Sequence, residues 1–289
     1  MMSVKEDKIR FSRFHDFLRK FKKQKSAIAA LFVLLILVFI AIFCYQIAPY
    51  GITEFDYSSV LQGPSSAHWF GTDEFGRDLF SRILCGTRIS LTVGLSAVTV
   101  GAISGTVLGL IAGYYGGIAE SIIMRMCDVL FAFPGIILAI AIIAILGSGM
   151  TNVVIAVAVF SMPTFCRLVR STVLATKESV YVQAERSLGA SDARILFRHI
   201  LPAALPNIIV QYTMSIGNSI MTASSLSFLG MGAQAPTPEW GLILSTGRTY
   251  MVNAVHMMLF PGLAIFITVL CFNLLGDGLR DALDPKLSD

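Results

Sequence analysis

The sequence alternates between long apolar runs and short polar stretches. At about 1.5 Å of rise per residue, a helix of about 18 or more residues crosses the hydrocarbon core of a bilayer, which is about 30 Å thick. We therefore predict an all-α polytopic membrane protein with six transmembrane helices. The predicted spans cover residues 27–48, 89–113, 122–146, 152–169, 208–229 and 255–275.

Small residues recur at every fourth position of the second span, beginning at Ala97. Positions four apart share one face of a helix, so this face is nearly bare of side chains. Such a face stabilises a membrane protein when another helix packs closely against it. We predict helix packing, rather than a pore role, for the glycines of this face: Gly101, Gly105, Gly109 and Gly113.

The third span carries two charges, Arg125 and Asp128, and a proline in its middle, Pro134. A charge inside a span is costly and normally faces a cavity or a partner. Two interpretations stay open for the charges, namely gating or lining a pathway, and simple intramolecular pairing. Pro134 removes a helix hydrogen bond, so it should kink or interrupt the span.

Polar side chains also line the fifth span, where Asn218 and Thr222 lie one turn apart among several serines. Hydroxyl and amide groups in a span either bond across helices or line a wet path. We favour the pathway interpretation for Asn218 and Thr222. The segment 227–241, which follows this span, reads as an outer re-entrant turn with Trp240 as an interfacial aromatic side chain.

Residues 49–88 form the longest polar stretch between two spans. Its charges stand at spacings of three, four and five, which is consistent with a short surface helix that pairs its own charges. This spacing fits two interpretations about equally well: the charges pair with each other on a solvated helix, or they contact a substrate. The charged side chains are Asp73, Glu74, Arg77, Asp78 and Arg82.

Composition supports the membrane assignment, because 55% of the residues are hydrophobic, 14% are charged and the mean hydropathy is +0.74. Soluble domains carry about 25% charged residues, so an ordinary soluble domain is excluded. The five cysteines fall singly in or beside apolar runs, and we interpret them as small buried hydrophobic side chains rather than a disulfide framework.

The distribution of positive charge predicts the orientation. Nine Lys or Arg residues lie between Lys5 and Lys25, and six lie between Arg167 and Arg198. By the positive-inside rule both regions are cytoplasmic, and six crossings return the C-terminus to the cytoplasm. Residues 1–26 read as a basic amphipathic helix on the inner leaflet of the lipid bilayer; we considered a nucleic-acid arm and set it aside. A cleavable signal peptide is the competing interpretation of residues 27–48, but residues 45–50 offer no small-residue cleavage site.

The stretch from Tyr181 to Pro202 is a charged, amphipathic island in this apolar chain. Within a predicted helix over residues 173–188, Val180, Ala184 and Leu188 share one face. Gly189 ends this helix, and Ser191 offers an N-cap for a second one. The sequence thus predicts a helix, a sharp turn and a helix, which is either a capped cytoplasmic hairpin or an element presented to a soluble partner.

The island resembles the EAA loop of bacterial ABC-importer permeases. The match comprises Gln183, Ala184, Glu185, then Gly189, and then Ile200, Leu201 and Pro202. Gln183 stands where the motif has its leading Glu, and Glu185 where it has its second Ala. The run HWFGTDEFGRDLFSR, residues 68–82, is similar to the second permease subunit of dipeptide, oligopeptide and nickel importers. Within this family, the resemblance is greatest to the permeases of glutathione importers.

The resemblance implies a type I ABC importer permease fold in a bacterial inner membrane. It implies four kinds of partner: a second homologous permease, two cytoplasmic ATPases that hold ATP and magnesium, an external substrate-binding protein and the lipid bilayer. The chain itself would bind no cofactor. Residues 49–88 would be periplasmic, 89–276 the permease core with a coupling loop at 173–202, and 277–289 a cytoplasmic tail. The ATPase-coupling residues would be Tyr181, Gln183, Ala184, Glu185, Arg186, Gly189 and Ala190.

The expected function is to form half of a translocation pathway for glutathione or short peptides, with nickel or another small solute as the alternative. The sequence lacks G-x-x-x-x-G-K-[ST], H-E-x-x-H and G-x-S-x-G, so we predict no catalytic residue, no metal site and no ATP hydrolysis by this chain. Two remote alternatives are a passive channel and an intramembrane enzyme with His199, Asp128 and Glu185 as acid and base.

Overall fold

The computed structural model describes residues 17–283 of the chain. Within this range the secondary structure is helical, with no strand, so the all-α prediction is confirmed. A π-helical turn, Leu196–Ile200, joins the seventh and eighth helices. Residues 17–23 are also helical. The helices after them are α1 (Lys25–Ile47), α2 (Leu79–Tyr115), α3 (Gly117–Phe131), α4 (Gly135–Leu146), α5 (Met150–Lys177), α6 (Val180–Ser187), α7 (Asp192–Ile195), α8 (Leu201–Phe228), α9 (Trp240–Thr249) and α10 (His256–Leu283).

Five helical segments in the described range are long and apolar enough to cross a membrane, and the bent pair α3–α4 is a sixth candidate. The five segments are α1, α2, α5, the run from Asp192 to Phe228, and α10. Six crossings therefore stay a prediction, as do the cytoplasmic termini and the division of the chain at residues 26, 48, 88 and 276. Residues 1–16 of the predicted basic helix and residues 284–289 of the predicted tail lie outside the described residues.

The predicted effect of Pro134 is confirmed. α3 and α4 meet at an angle of 97°, and the break between them ends at Pro134. Pro134 has an extended ψ of 129°, and proline pushes the residue before it away from the helical conformation. Two short helices consequently form a corner where the sequence suggested one span.

The glycine face of α2 lies against α5. A Cβ atom added at Gly109 would stand 2.6 Å from the carbonyl oxygen of Cys166, and one added at Gly113 would stand 2.7 Å from Cβ of Val173. Gly101 and Gly105 face Ser161 and Met162 in the same way. The two helices therefore touch closely over about three helical turns, which makes α2 and α5 one packed unit.

The largest buried apolar cluster joins α2 to α1, α5, α8 and α10. Phe165, Val98 and Ile220 are almost inaccessible to solvent at its centre. α10 also contacts the start of α1, where Gln24 Nε2 donates to Asp281 Oδ2 at 2.9 Å. All five cysteines are buried and free, which confirms their interpretation as small hydrophobic side chains.

The predicted surface helix at residues 73–82 is wrong. Residues 73–78 form a turn, because the Asp73 carboxylate accepts from the backbone N–H groups of Phe75 and Arg77. α2 starts at Leu79 rather than at residue 89, and Asp78 caps it by accepting from Ser81 N at 2.7 Å. The charges are buried and not solvated, with Arg77 Nε at 2.6 Å and Arg82 Nε at 3.3 Å from Asp73 Oδ2.

The interpretation of Trp240 as an interfacial side chain is also wrong. Its ring is fully buried, and Nε1 donates to the carbonyl of Ile83 at 3.0 Å. Gly86 makes room for the ring, because a Cβ atom there would lie 2.9 Å from Trp240 Cδ1. Trp240 begins α9, a short helix that packs against α8 and α10, so the segment after α8 is folded into the bundle.

Candidate functional site

The charged island folds into a bent helical element between α5 and α8. The predicted continuous helix over 173–188 is divided, because α5 ends at Lys177 and α6 begins at Val180. Ser179 is extended, and its hydroxyl donates to the carbonyl of Thr176 at 2.6 Å. Such a local side-chain bond competes with the helix and favours a break at this position.

The turn after α6 has the predicted form. Gly189 has a φ of +82°, a conformation that side chains with a Cβ rarely adopt. The N–H of Ala190 then donates to the carbonyl of Glu185 at 3.1 Å, and Ser191 caps α7 by accepting from Arg194 N at 3.4 Å. The predicted stop at Gly189 and the N-cap at Ser191 are confirmed.

α7 continues through the π-helical turn into α8. The π turn ends two residues before Pro202, whose nitrogen cannot donate a helix hydrogen bond. The whole stretch from Asp192 to Phe228 is therefore one helical run of 37 residues. Whatever displaces α7 also displaces the base of α8.

α6 is amphipathic, and its two faces have different surroundings. Val182 is 1% exposed and packs with Ile195 and Ile200 beneath the helix. On the opposite face Val180 is 83% exposed and Leu188 is 85% exposed. Apolar side chains so fully exposed in water are costly, so this face has the character of a binding surface.

The predicted coupling residues lie on α6 and its turn. Tyr181, Gln183, Ala184, Arg186 and Gly189 are exposed, whereas Glu185 and Ala190 are partly buried. Glu185 faces α7 and the π-helical turn, with its carboxylate 3.9 Å from Arg194 Nε and 3.7 Å from His199 Nε2. The small and polar residues therefore surround the exposed apolar face.

Tyr114, near the end of α2, contacts both α6 and α7. This residue was not identified from the sequence. Its hydroxyl donates to Asp192 Oδ1 at 2.6 Å and accepts from Arg186 Nη2 at 3.1 Å. Next to it, Lys177 Nζ donates to the carbonyl of Gly113 at 3.1 Å. No local pattern signals these bonds, because their partners are distant in the sequence.

Of the two charges predicted in the third span, Asp128 is paired within the chain, although its partner is not Arg125. Asp128 pairs instead with Arg167 on α5, at 2.6 Å from Nη2, and the Arg167 guanidinium lies 4.3 Å from the centroid of the Phe131 ring. Arg170 on α5 pairs with Glu120 in the same manner, while Arg125 is exposed. These ion pairs attach α3 to α5.

The pathway candidates of the fifth span lie on one face of α8. Asn218 is exposed, and Thr222 donates from Oγ1 to the carbonyl of Asn218 at 2.9 Å. Within the described residues, no other helix packs over the Asn218 side chain. A polar, uncovered helix face is compatible with a pathway or with a second membrane subunit, and the pathway role stays a prediction.

Glu239 is a buried carboxylate that sequence reasoning did not single out. Its Oε2 accepts from Leu242 N at 2.8 Å and so caps α9. Oε1 lies 3.4 Å from the hydroxyls of Ser90 and Ser224. Burial raises the pKa of Glu239, while the backbone N–H groups it accepts from act in the opposite direction. We assign it a structural role in holding α9 against α2 and α8.

Two family models match this chain. Residues 105–289 match the model described as binding-protein-dependent transport system inner membrane component. Residues 12–64 match the N-terminal transmembrane domain of oligopeptide transport permease C. The first match includes the bent element, the glycines Gly105, Gly109 and Gly113, and α8.

Full-length relatives carry a functional name. The chain is 58% identical over 287 residues to the glutathione transport system permease protein GsiD of Pectobacterium atrosepticum, covering 99% of this chain and 95% of the relative. It is 56% identical over 289 residues to the protein of the same name from Escherichia coli, with the same coverage.

Solved structures with a similar fold are membrane transporters. The inward-facing methionine ABC transporter MetNI aligns with a TM-score of 0.57 at 20% identity, covering 71% of this chain and 98% of that chain. An amino acid ABC transporter with histidines aligns with a TM-score of 0.54 at 17% identity, covering 70% and 94%. At these identities the likeness concerns the fold alone.

Proposed function

This chain belongs to the family of inner membrane components of binding-protein-dependent transport systems, and from that membership we propose its cargo, its partners and its route of coupling. The chain is a permease subunit of an ABC importer. We propose that it forms half of a translocation pathway for glutathione or short peptides, and the names of its full-length relatives support glutathione.

The proposed assembly comprises this permease, a second homologous permease, two cytoplasmic ATPases and an external binding protein in a bacterial inner membrane. ATP and magnesium would be held by the ATPases, so this chain would contribute no catalytic residue. The uncovered face of α8, which carries Asn218 and Thr222, is available for the second permease or for the pathway between the two.

The single observation that supports the coupling route is the exposed apolar face of α6. Val180 and Leu188 protrude from the cytoplasmic side of the proposed topology, and Gly189 bends the chain directly beyond them. Seated in a groove of an ATPase, this face would be desolvated, which makes docking favourable.

Coupling then follows from the connections of α6. When ATP binding closes the two ATPases on each other, α6 moves with the ATPase that holds it. α5 precedes α6 and α8 continues from α7, so both helices tilt with it. This motion would transfer the opening from the inner face to the outer face, and hydrolysis would reverse it.

Gly189→Leu tests the proposal in the assembled importer, reconstituted in proteoliposomes with its ATPases and loaded binding protein. A side chain at Gly189 is strained by the φ of +82° and obstructs close approach of a partner, although nothing in the chain lies within 4 Å of its Cβ. We expect ATP-dependent uptake of labelled glutathione to be abolished while the variant still inserts and accumulates.

Gly230→Leu is the matched control, because Gly230 has a φ of +79°, equal space and the same pair of backbone hydrogen bonds at a helix end, on the other side of the bundle beyond α8. It should carry the same backbone strain and retain uptake. Normal uptake by Gly189→Leu would refute the coupling role. Uptake of a labelled dipeptide or nickel by the wild-type importer, without uptake of glutathione, would refute the proposed cargo instead.

A further inference from the structure

Tyr114 lies where α2 meets the bent element. Its ring is 7% exposed and packs among Leu110, Val173 and Val182, so its position is fixed from α2, α5 and α6 together. A hydroxyl held in this way has two hydrogen-bonding functions, one as a donor and one as an acceptor. Both functions are used within the bent element.

The two partners of the hydroxyl are on opposite sides of the turn. Arg186, in the last turn of α6, donates to it at 3.1 Å, and Asp192, in the first turn of α7, accepts from it at 2.6 Å. The Arg186 guanidinium also lies 5.5 Å from the centre of the Tyr114 ring. Both partners are charged, and hydrogen bonds to charged groups are stronger than neutral ones.

α2 thus has a direct attachment to α6 and α7, although along the chain it is joined to them only through α3, α4 and α5. Lys177 adds a parallel connection between the ends of α5 and α2 through the carbonyl of Gly113. Before Gly113, α2 also touches α5 at Gly101, Gly105 and Gly109. A displacement of α6 would therefore reach α2 at the same moment as α5.

We propose that Tyr114 is a positioning residue for energy coupling, whose hydroxyl holds α6 and α7 at a fixed angle and makes α2 move with them. This inference rests on the proposed coupling role of α6. Without the hydroxyl, the polar side-chain contacts left across the turn are the longer ones of Glu185, at 3.9 Å from Arg194 Nε and 3.7 Å from His199 Nε2. Part of each ATPase stroke would then flex the turn instead of tilting the bundle.

Tyr114→Phe removes only the hydroxyl and keeps the packed ring. In the reconstituted importer we expect ATPase activity to be retained and glutathione uptake per ATP hydrolysed to fall about tenfold, since a hydrogen bond to a charged group contributes about that factor to an equilibrium constant. Tyr115→Phe is the matched control. It removes the same hydroxyl group one residue later, from a side chain that is 60% exposed. Its uptake per ATP should equal that of the wild type.

A double-mutant cycle separates positioning from a general loss of stability. Asp192→Ala should lower the same ratio, and Tyr114→Phe combined with Asp192→Ala should be no worse than the stronger single variant, because each change removes the same hydrogen bond. Additive losses, or a normal ratio in Tyr114→Phe, would overturn the inference. If Gly189→Leu abolishes uptake while Tyr114→Phe transports normally, the proposed function stands and only this inference fails.

Discussion

Asp73 is the residue on which the outer segment depends. Its carboxylate is 2% exposed and contacts both Arg77 and Arg82, which are also buried. The spacing of these charges correctly predicted that they would pair. It did not reveal their burial, because this depends on residues distant in the sequence, such as Pro236, whose carbonyl accepts from Arg82 Nη1 at 3.4 Å.

Asp73→Asn should strongly destabilise the protein. The change leaves two buried guanidinium groups with a reduced counter-charge, a loss that typically costs about 3 kcal/mol, and Glu74 at 3.0 Å from Arg77 replaces only part of it. The midpoint of thermal unfolding of the purified importer in detergent should fall by about 10 °C. Asp277→Asn, at an exposed position of α10, should leave the midpoint unchanged. Equal midpoints for the two variants would show that the buried cluster contributes little.

Whether a residue of the candidate site could be predicted depends on how far away in the sequence its interaction partners lie. Gly189 and Ser191 were predictable, since a turn and an N-cap depend on neighbouring residues. Tyr114 was not predictable, because its partners Arg186 and Asp192 are brought to it only by the packing of α2 against α5. Asp128 follows the same rule, because its partner Arg167 lies on another helix.

At the scale of elements, the length of the apolar runs was enough to predict where each long helix lies. The residues at which the helices begin and end depended on local hydrogen bonds instead. Pro134 was a reliable signal of a break because it acts through its own ring. The break at Ser179 and the start of α2 at Leu79 had no comparable signal. In both places a polar side chain bonds to the backbone, which hydropathy does not register.

The contact between α2 and α5 gives a prediction at this scale. Gly109→Ala places a methyl group 2.6 Å from the Cys166 carbonyl oxygen and 2.8 Å from Val169 Cβ, so the two helices must separate. Overpacking of this kind costs about 2 kcal/mol. We expect a lower unfolding midpoint in detergent and weaker uptake.

Gly262→Ala in α10 is the control for this change. A Cβ atom there meets only Leu244 Cδ2, at 4.0 Å, so the same methyl group enters open space. Alanine favours a helix over glycine by up to about 1 kcal/mol, and the midpoint should stay equal or rise. If both variants behaved alike, close approach would not be the reason for the glycines on α2.

For the whole molecule, the proposed orientation places α6 in the cytoplasm and the loop between α4 and α5 outside. Because all five native cysteines are buried, single introduced cysteines can report on this orientation. Ser148 and Ser187 are both exposed. In intact cells a membrane-impermeant maleimide should label Ser148→Cys and spare Ser187→Cys, and permeabilisation should make both reactive. Labelling of Ser187→Cys in intact cells would exclude any contact between α6 and a cytosolic ATPase.

The unbroken helical run from Asp192 to Phe228 has a mechanical consequence. Its 37 residues correspond to a rod about 55 Å long, roughly twice the thickness of the hydrocarbon layer. One end of this rod, at Asp192, follows the turn at Gly189. The other end, at Phe228, lies on the opposite side of the bundle. Rotating the rod by about 5° sweeps the tip through an arc of about 5 Å. In the proposed importer, a small rotation at one membrane surface would therefore produce a displacement at the other surface on the scale needed to open or close a pathway.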